Sequence, residues 1–239
     1  MLSTEGLCYG KPKFQWKPGD ALSSSGLLRR LPWRDLKYTL WLPPYLLLFV
    51  ALEQMPMGAY WATQLPVDAR IPFCEWFVIP YCLWYPLLVA VGLYLLLRDR
   101  AAFRRYMLFL AATFLLSELL WFLLPNGQDL RPPAFSRENP LTALVAGLYR
   151  VDTNTNVFPS VHVVGSIGAA LAVWDCRALE RRRGLRMGTA ALAALICVST
   201  LFIKQHTVLD VVGGLLLGGL AARPIYRRSP VRRFSRKMA

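Results

Sequence analysis

Six apolar runs, roughly 38–56, 76–97, 103–124, 159–176, 187–204 and 206–222, punctuate the sequence. A helix needs about 20 mostly apolar residues to cross a bilayer, and each run approaches that length. The runs predict an all-α fold, a polytopic membrane protein built as a six-transmembrane-helix bundle. The composition agrees: 55% of the residues are hydrophobic and the mean hydropathy is +0.37, too apolar for an ordinary soluble domain. Pro43 and Pro44 predict a kink in the first helix. Trp76, Phe77, Tyr81, Trp84 and Tyr85 read as an aromatic belt near a membrane interface. Lys204 to His206 reads as a tight turn between the fifth and sixth helices.

The net charge of +14 would suit nucleic acid were it not for where the charges lie. Seven Lys/Arg precede residue 38, four fall between 98 and 105, five between 177 and 186, and seven follow residue 222. Only Arg70, Arg131, Arg137, Arg150 and Lys204 remain for the other side. That asymmetry predicts a bundle with both termini in the cytoplasm and accounts for the charge without nucleic acid. The organisation that follows is a basic cytoplasmic segment at 1–37, a six-helix membrane catalytic domain at 38–222 and a basic cytoplasmic tail at 223–239. The tail, "RRSPVRRFSRKMA", reads as an anchor touching anionic membrane lipids. Residues 1–37 contain no apolar core typical of a cleavable signal, so the first helix is expected to serve as an uncleaved one. Cys8, Cys74, Cys82, Cys176 and Cys197 are scattered, odd in number and free of any Cys-x-x-Cys pair, which argues against a disulfide framework or a zinc site.

The chain has two histidines, and both fall at the start of an apolar run. His162 stands in "NTNVFPSVHVVGS". Pro159 and Ser160 suit a helix start, whose free N–H groups and positive dipole end favour an anion such as phosphate. His162 beside that anion could protonate a leaving oxygen; the plain alternative is an interfacial histidine after a serine cap. His206 stands in "KQHTVLDVVGG", with Asp210 one turn further along the same face. A carboxylate there can fix the imidazole tautomer and free the other nitrogen as nucleophile or base. The plain alternative is a helix-opening histidine with a capping partner, but an aspartate inside a membrane helix is costly enough to mark a functional candidate. Arg131 offers a fork suited to phosphate oxygens and Lys204 a point charge, and all these groups are predicted at one depth on the outer side. Zinc held by the two histidines and Asp210 is the chemical rival, although no further ligand stands at a suitable spacing near His162. Glu118, in "LLSELLW", is expected to face the bundle interior, paired or protonated.

These residues resemble a known family. Pro159-Ser160-Val161-His162 resembles the Pro-Ser-x-His signature of the type 2 phosphatidic acid phosphatase superfamily. Ser199-Thr200-x5-His206-x3-Asp210 resembles its Ser-Arg-x5-His-x3-Asp signature, and Arg131-Pro132 the end of its Lys-x6-Arg-Pro signature. Motif order, spacing and the six-helix layout over about 38–222 also agree. The resemblance implies an integral membrane enzyme that works without metal or cofactor on a lipid phosphate. His206 would be the phosphoryl-accepting nucleophile, Asp210 its orienting partner, and His162 the general acid. Arg131, Ser160 and nearby backbone amides would bind the phosphate near the membrane face. Two positions depart from the pattern: Leu124 stands where the first lysine is expected and Thr200 where the arginine is expected. Lys204 is the candidate to compensate. "HTVLDVV" is also similar to the His-Tyr-x-x-Asp style of sphingomyelin and inositol phosphorylceramide synthases, which pass a phospho-headgroup to a lipid alcohol. Three readings therefore stand: a lipid phosphate phosphatase first, a headgroup phosphotransferase second, and a non-catalytic lipid-binding relative third.

Overall fold

The computed structural model describes residues 33–55 and 58–227; the basic tail beyond 227 and most of the 1–37 segment lie outside the described residues. After one helical turn at Trp33–Leu36, the helices are α1 (Leu42–Gln54), α2 (Val78–Cys82), α3 (Trp84–Arg98), α4 (Arg100–Leu123), α5 (Pro140–Val151), α6 (Val161–Asp175), α7 (Arg183–Phe202) and α8 (Val208–Tyr226). Two-residue strands β1 (Trp61–Ala62) and β2 (Asn126–Gly127) pair in parallel, Trp61 against Asn126 and Ala62 against Gly127. Four segments, 75–98, 100–123, 183–202 and 208–226, are long and apolar enough to cross a membrane.

The departures from expectation have local causes. Pro43 and Pro44 produce no kink, because α1 begins at Leu42 and places them in its first turn, where no N–H is needed. The second apolar run breaks at Leu83, between α2 and α3; Pro86 lacks the N–H that would bond back to Cys82. The loop after the third run contains α5, which opens with a capping box between Asn139 and Thr142 and has Pro140 at its first position. The α3–α4 turn is a single residue, Asp99, whose carboxylate caps Ala102 N and also accepts from Arg177 N. Helix α6 has only 15 residues, about 22 Å long. Eleven of them are buried, against α3, α4, α7 and α8. Surrounded by helices instead of lipid, it is not bound to match the hydrocarbon thickness. Glu118 is fully buried and faces the interior, but neither carboxyl oxygen finds a hydrogen-bond partner among the described residues. Of the two expected states, paired or protonated, the pairing is absent among the described residues, and the neighbours of Glu118 on that helix face, Phe114 and Trp121, are apolar aromatics.

Helix α6 can sit this close to its neighbours because the contacts fall on glycines. A Cβ at Gly214 of α8 would lie 2.9 Å from the Ser160 carbonyl oxygen and 2.8 Å from Val163 Cβ. A Cβ at Gly165 of α6 would lie 2.8 Å from the Trp84 indole nitrogen. Gly219, one turn beyond Gly214, has nothing within 4 Å. Gly214→Ala should therefore cost about 1–3 kcal/mol of overpacking, read as a lower thermal midpoint in detergent, whereas Gly219→Ala should leave the midpoint in place. Equal behaviour of the two variants would show that the close approach is not what holds α6 and α8 together.

Candidate active site

The α7–α8 turn is a knot of backbone bonds. Ile203 N donates to Ser199 O, and both Gln205 N and His206 N donate to Thr200 O. Lys204 adopts a left-handed conformation, φ 54°, unusual for a residue with a Cβ. Gln128 Nε2 donates to the Lys204 carbonyl and the Tyr149 hydroxyl to the Ile203 carbonyl, so the turn is held from two sides. Thr207 then caps α8: its Oγ1 accepts from Asp210 N, and Asp210 Oδ2 accepts from Thr207 N at 2.7 Å. This reciprocal cap fixes the Asp210 carboxylate, whose Oδ2 also lies 3.6 Å from His206 Nδ1. The separation suits an ion pair but exceeds a hydrogen bond. Asp210 is thus a helix cap that also lies beside the imidazole, without the hydrogen bond to His206 Nδ1 that its spacing allows.

His162 comes from the first turn of α6. Ser160 is the N-cap, its Oγ accepting from Val163 N, and its own N–H donates to the Asp210 carbonyl. That last bond ties the start of α6 to the start of α8. Asn126 supports the approach, its Oδ1 accepting from Val157 N and Phe158 N. As a result His206 Nε2 and His162 Nδ1 face each other at 3.5 Å, although 44 residues separate them. Both rings are buried, 6% and 4% exposed. His162 is sandwiched between Tyr81 and Trp84, each ring centroid 4.4 Å away, with Tyr85 edge-on. Two of the expected interfacial aromatics, Tyr81 and Trp84, are therefore the walls of the site, while Trp76 and Tyr85 stay exposed.

The two candidate phosphate-binding cations are engaged elsewhere. Arg131 donates to the carbonyls of Tyr149, Asp152 and Thr153 and to Gln205 Oε1, and its guanidinium lies over the Tyr149 ring. Lys204 Nζ donates to the carbonyls of Asp68 and Ile71. Burial lowers the pKa of both cations. Each holds a loop to the α7–α8 turn, because buried carbonyls at the ends of short turns need donors. Leu124 is exposed and Thr200 buried, so no cation replaces the two expected ones at those positions.

An apolar cleft of about 500 Å³ opens against the histidines, walled by α1, α3 and α4. Its polar end holds His162, His206, Asp152 and Asn156, and its far end reaches Leu36, Leu96 and Phe103. Among the described lining residues none is Lys or Arg. Asp152 escaped the sequence reading because it belongs to no motif; its carboxylate Oδ2 accepts from the Tyr81 hydroxyl at 2.8 Å and from Gln205 Nε2 at 3.1 Å. Burial pushes the Asp152 carboxyl above the usual carboxylate range, and the bond from Tyr81 works against that rise. The one available signal was position, an aspartate seven residues before the Pro-Ser pair in a polar loop. Glu53, likewise outside every motif, accepts from Thr153 N, Thr153 Oγ1 and Asn156 Nδ2 and so fixes the same loop. Among the described residues, no three His, Cys, Asp or Glu side chains are grouped to hold a metal ion.

A family model described as the PAP2 superfamily matches residues 106–234, a span that contains both histidines, Asp210, Ser160, Arg131 and Lys204. No curated protein and no solved structure gives a significant match.

The bonds of Lys204 generate a test. Lys204→Ala leaves the Ile71 carbonyl without its donor and the Asp68 carbonyl with only Ile71 N, a loss of about 1–3 kcal/mol, and any fall in activity should come with a matching fall in thermal stability. A large loss of activity at an unchanged thermal midpoint would instead make Lys204 a phosphate ligand.

Proposed function

Because the chain belongs to the PAP2 superfamily, we propose that it breaks a phosphate ester bond of a membrane lipid through a phosphohistidine on His206, with water as the acceptor, as an integral membrane lipid phosphatase. The observation that carries this reading is the meeting of two buried imidazoles, 3.5 Å apart, at the polar end of an apolar cleft. The cleft accommodates the lipid chain and the histidines act on the phosphate. Asp210 beside Nδ1 of His206 favours a proton on that nitrogen and leaves Nε2 with its lone pair. Nε2 attacks phosphorus from the cleft side, since 3.5 Å between the rings leaves room for a proton and not for a phosphoryl group. The bond from phosphorus to the lipid oxygen breaks, and His162 gives that oxygen a proton. Water then attacks the phosphohistidine, His162 takes a proton from it, and the N–P bond breaks to release phosphate and restore His206. Ser160 and the N–H groups at the start of α6 are the nearest anion-binding backbone, with Arg131 and Lys204 acting through the loops they hold.

Headgroup transfer to a lipid alcohol is the second reading. It is favoured by the apolar walls beside the histidines, which admit a lipid hydroxyl more readily than bulk water. In either case α1 and α6 complete a six-helix membrane bundle with α3, α4, α7 and α8. Both termini are cytoplasmic and the histidines lie near the outer face, as the Lys/Arg asymmetry argues.

The roles separate by leaving group. A nucleophile is needed for every substrate, whereas a general acid matters most for a poor leaving group such as a lipid alkoxide. His206→Ala should be inactive on both a lipid phosphate and a nitrophenyl phosphate and form no phosphoenzyme by intact-protein mass after rapid quench. His162→Ala should be nearly inactive on the lipid and partly active on the nitrophenyl ester. Asp210→Asn should slow both. Activity retained in His206→Ala, or abolished in the wild type by a chelator, would remove the phosphohistidine and return a metal site.

For the orientation, a cysteine in place of the exposed Ser136 should react with an impermeant thiol reagent on intact cells. Labelling only after permeabilisation would put the histidines on the cytoplasmic side.

A further inference from the structure

We propose that Asp152 recognises the non-lipid side of the substrate, and that the site is built for a singly charged phosphodiester whose headgroup carries a hydrogen-bond donor, in preference to a doubly charged phosphomonoester. This rests on the assignment of the two histidines to phosphate chemistry given above and takes it toward the second reading: with a diester, loss of the lipid oxygen leaves the phosphorylated headgroup on His206, and the acceptor carries that headgroup away.

The first observation is the missing positive charge. Among the described residues that line the cleft there is no lysine or arginine. Leu124 and Thr200 occupy the positions where the family pattern has cations, and Arg131 and Lys204 direct their terminal nitrogens to backbone carbonyls and Gln205, while Arg131 Nε is buried without a partner among the described residues. With His206 Nε2 kept as the unprotonated nucleophile, the positive charge left to the site is at most that of the proton-donating His162, and one imidazolium neutralises one negative charge, not two.

The second observation is the carboxylate. Asp152 lines the same end of the cleft as both histidines. Its Oδ2 is occupied by Tyr81 and Gln205. No donor from the described residues bonds to its Oδ1. Glu53 lies behind the same loop, bonded to Thr153 and Asn156; Arg131, bonded to the Asp152 and Thr153 carbonyls, balances one of these two carboxylates and leaves one negative charge. Charges interact in proportion to their product, and less screened in a dry site than in water. A phosphomonoester dianion is therefore repelled twice as strongly as a diester monoanion. A hydroxyl or ammonium on the headgroup turns the contact with Oδ1 from repulsion into a charge-assisted hydrogen bond. The apolar cleft then holds the lipid side of the same molecule.

The test compares four lipids with identical chains: a phosphomonoester, a phosphoglycerol diester, a phosphoethanolamine diester and a phosphomethyl diester, which lacks a headgroup donor. Binding is measured by competition in native mass spectrometry on the His206→Ala protein in nanodiscs, and turnover by phosphorus NMR on the wild type. At least one donor-bearing diester should bind tenfold or more tightly than both the monoester and the methyl diester. The glycerol and ethanolamine arms tell a hydroxyl from an ammonium. Adding Asp152→Asn, which keeps an acceptor for the Tyr81 hydroxyl, should shrink the advantage over the methyl diester to within threefold and strengthen monoester binding. If the monoester binds best, or if Asp152→Asn leaves the ranking unchanged while the protein keeps its thermal midpoint, the proposal is overturned. If that variant does not fold, the ranking on the protein with Asp152 intact decides alone. Selective diester binding without turnover of any lipid would overturn the phosphohistidine reading and leave the recognition by Asp152 standing. Fast monoester hydrolysis without diester preference would do the reverse.

Discussion

The arrangement of this molecule depends on one close approach, the contact of the first turns of α6 and α8. At Gly214 the two helices meet with no side chain between the α8 backbone and the Ser160 carbonyl, and the Ser160 N–H bonds the Asp210 carbonyl across the junction. A second glycine, Gly213, receives the Phe158 ring, which a Cβ would meet at 2.4 Å. Packing at this density transmits small displacements because interiors contain few voids to absorb them. The position of His162 relative to His206 is therefore set by backbone contact and not by the flexibility of either side chain.

From that contact the rest of the site is assembled by helix ends. His162 and His206 both lie at helix starts, where unsatisfied N–H groups and the positive dipole end accumulate. Asp210 serves the Thr207 cap and the His206 imidazole with one oxygen, so the orientation of the carboxylate is determined by helix formation itself. Gly165 lets Trp84 lie over α6, and the same indole covers His162. The placement of the two histidines and the packing of the helices thus use the same atoms, which explains why so much of the polar inventory sits buried beside apolar walls.

The buried cations have a related logic. Arg131 joins the carbonyls at the end of α5 to the Gln205 side chain of the α7–α8 turn, and Lys204 joins that turn to the carbonyls of Asp68 and Ile71. Arg131 suits this task because its planar fork reaches several acceptors at once. What these cations stabilise is the turn that carries His206, at the expense of positive charge in the cleft. The electrostatics of the cleft then fall to Asp152 and the two imidazoles, a balance different from that implied by the motif resemblance.

Much of this was legible in the sequence. The long apolar runs determined that the chain is helical and membrane-borne, because the length and composition of a run are local properties. The pairs Ser160–His162 and His206–Asp210 were readable for the same reason: a helix start and an i, i+4 face are defined within one turn. Helix α5 was readable in principle from Asn139, Pro140 and Thr142. The lengths of α1 and α6 were not, since burial of α6 among four helices releases it from spanning length. Nor could local pattern show that Tyr81 and Trp84 face His162 instead of an interface, that Lys204 reaches carbonyls more than 130 residues away, or that Asp152 faces the histidines. Those facts depend on which distant segments meet, and that is decided by where a missing side chain lets two backbones touch.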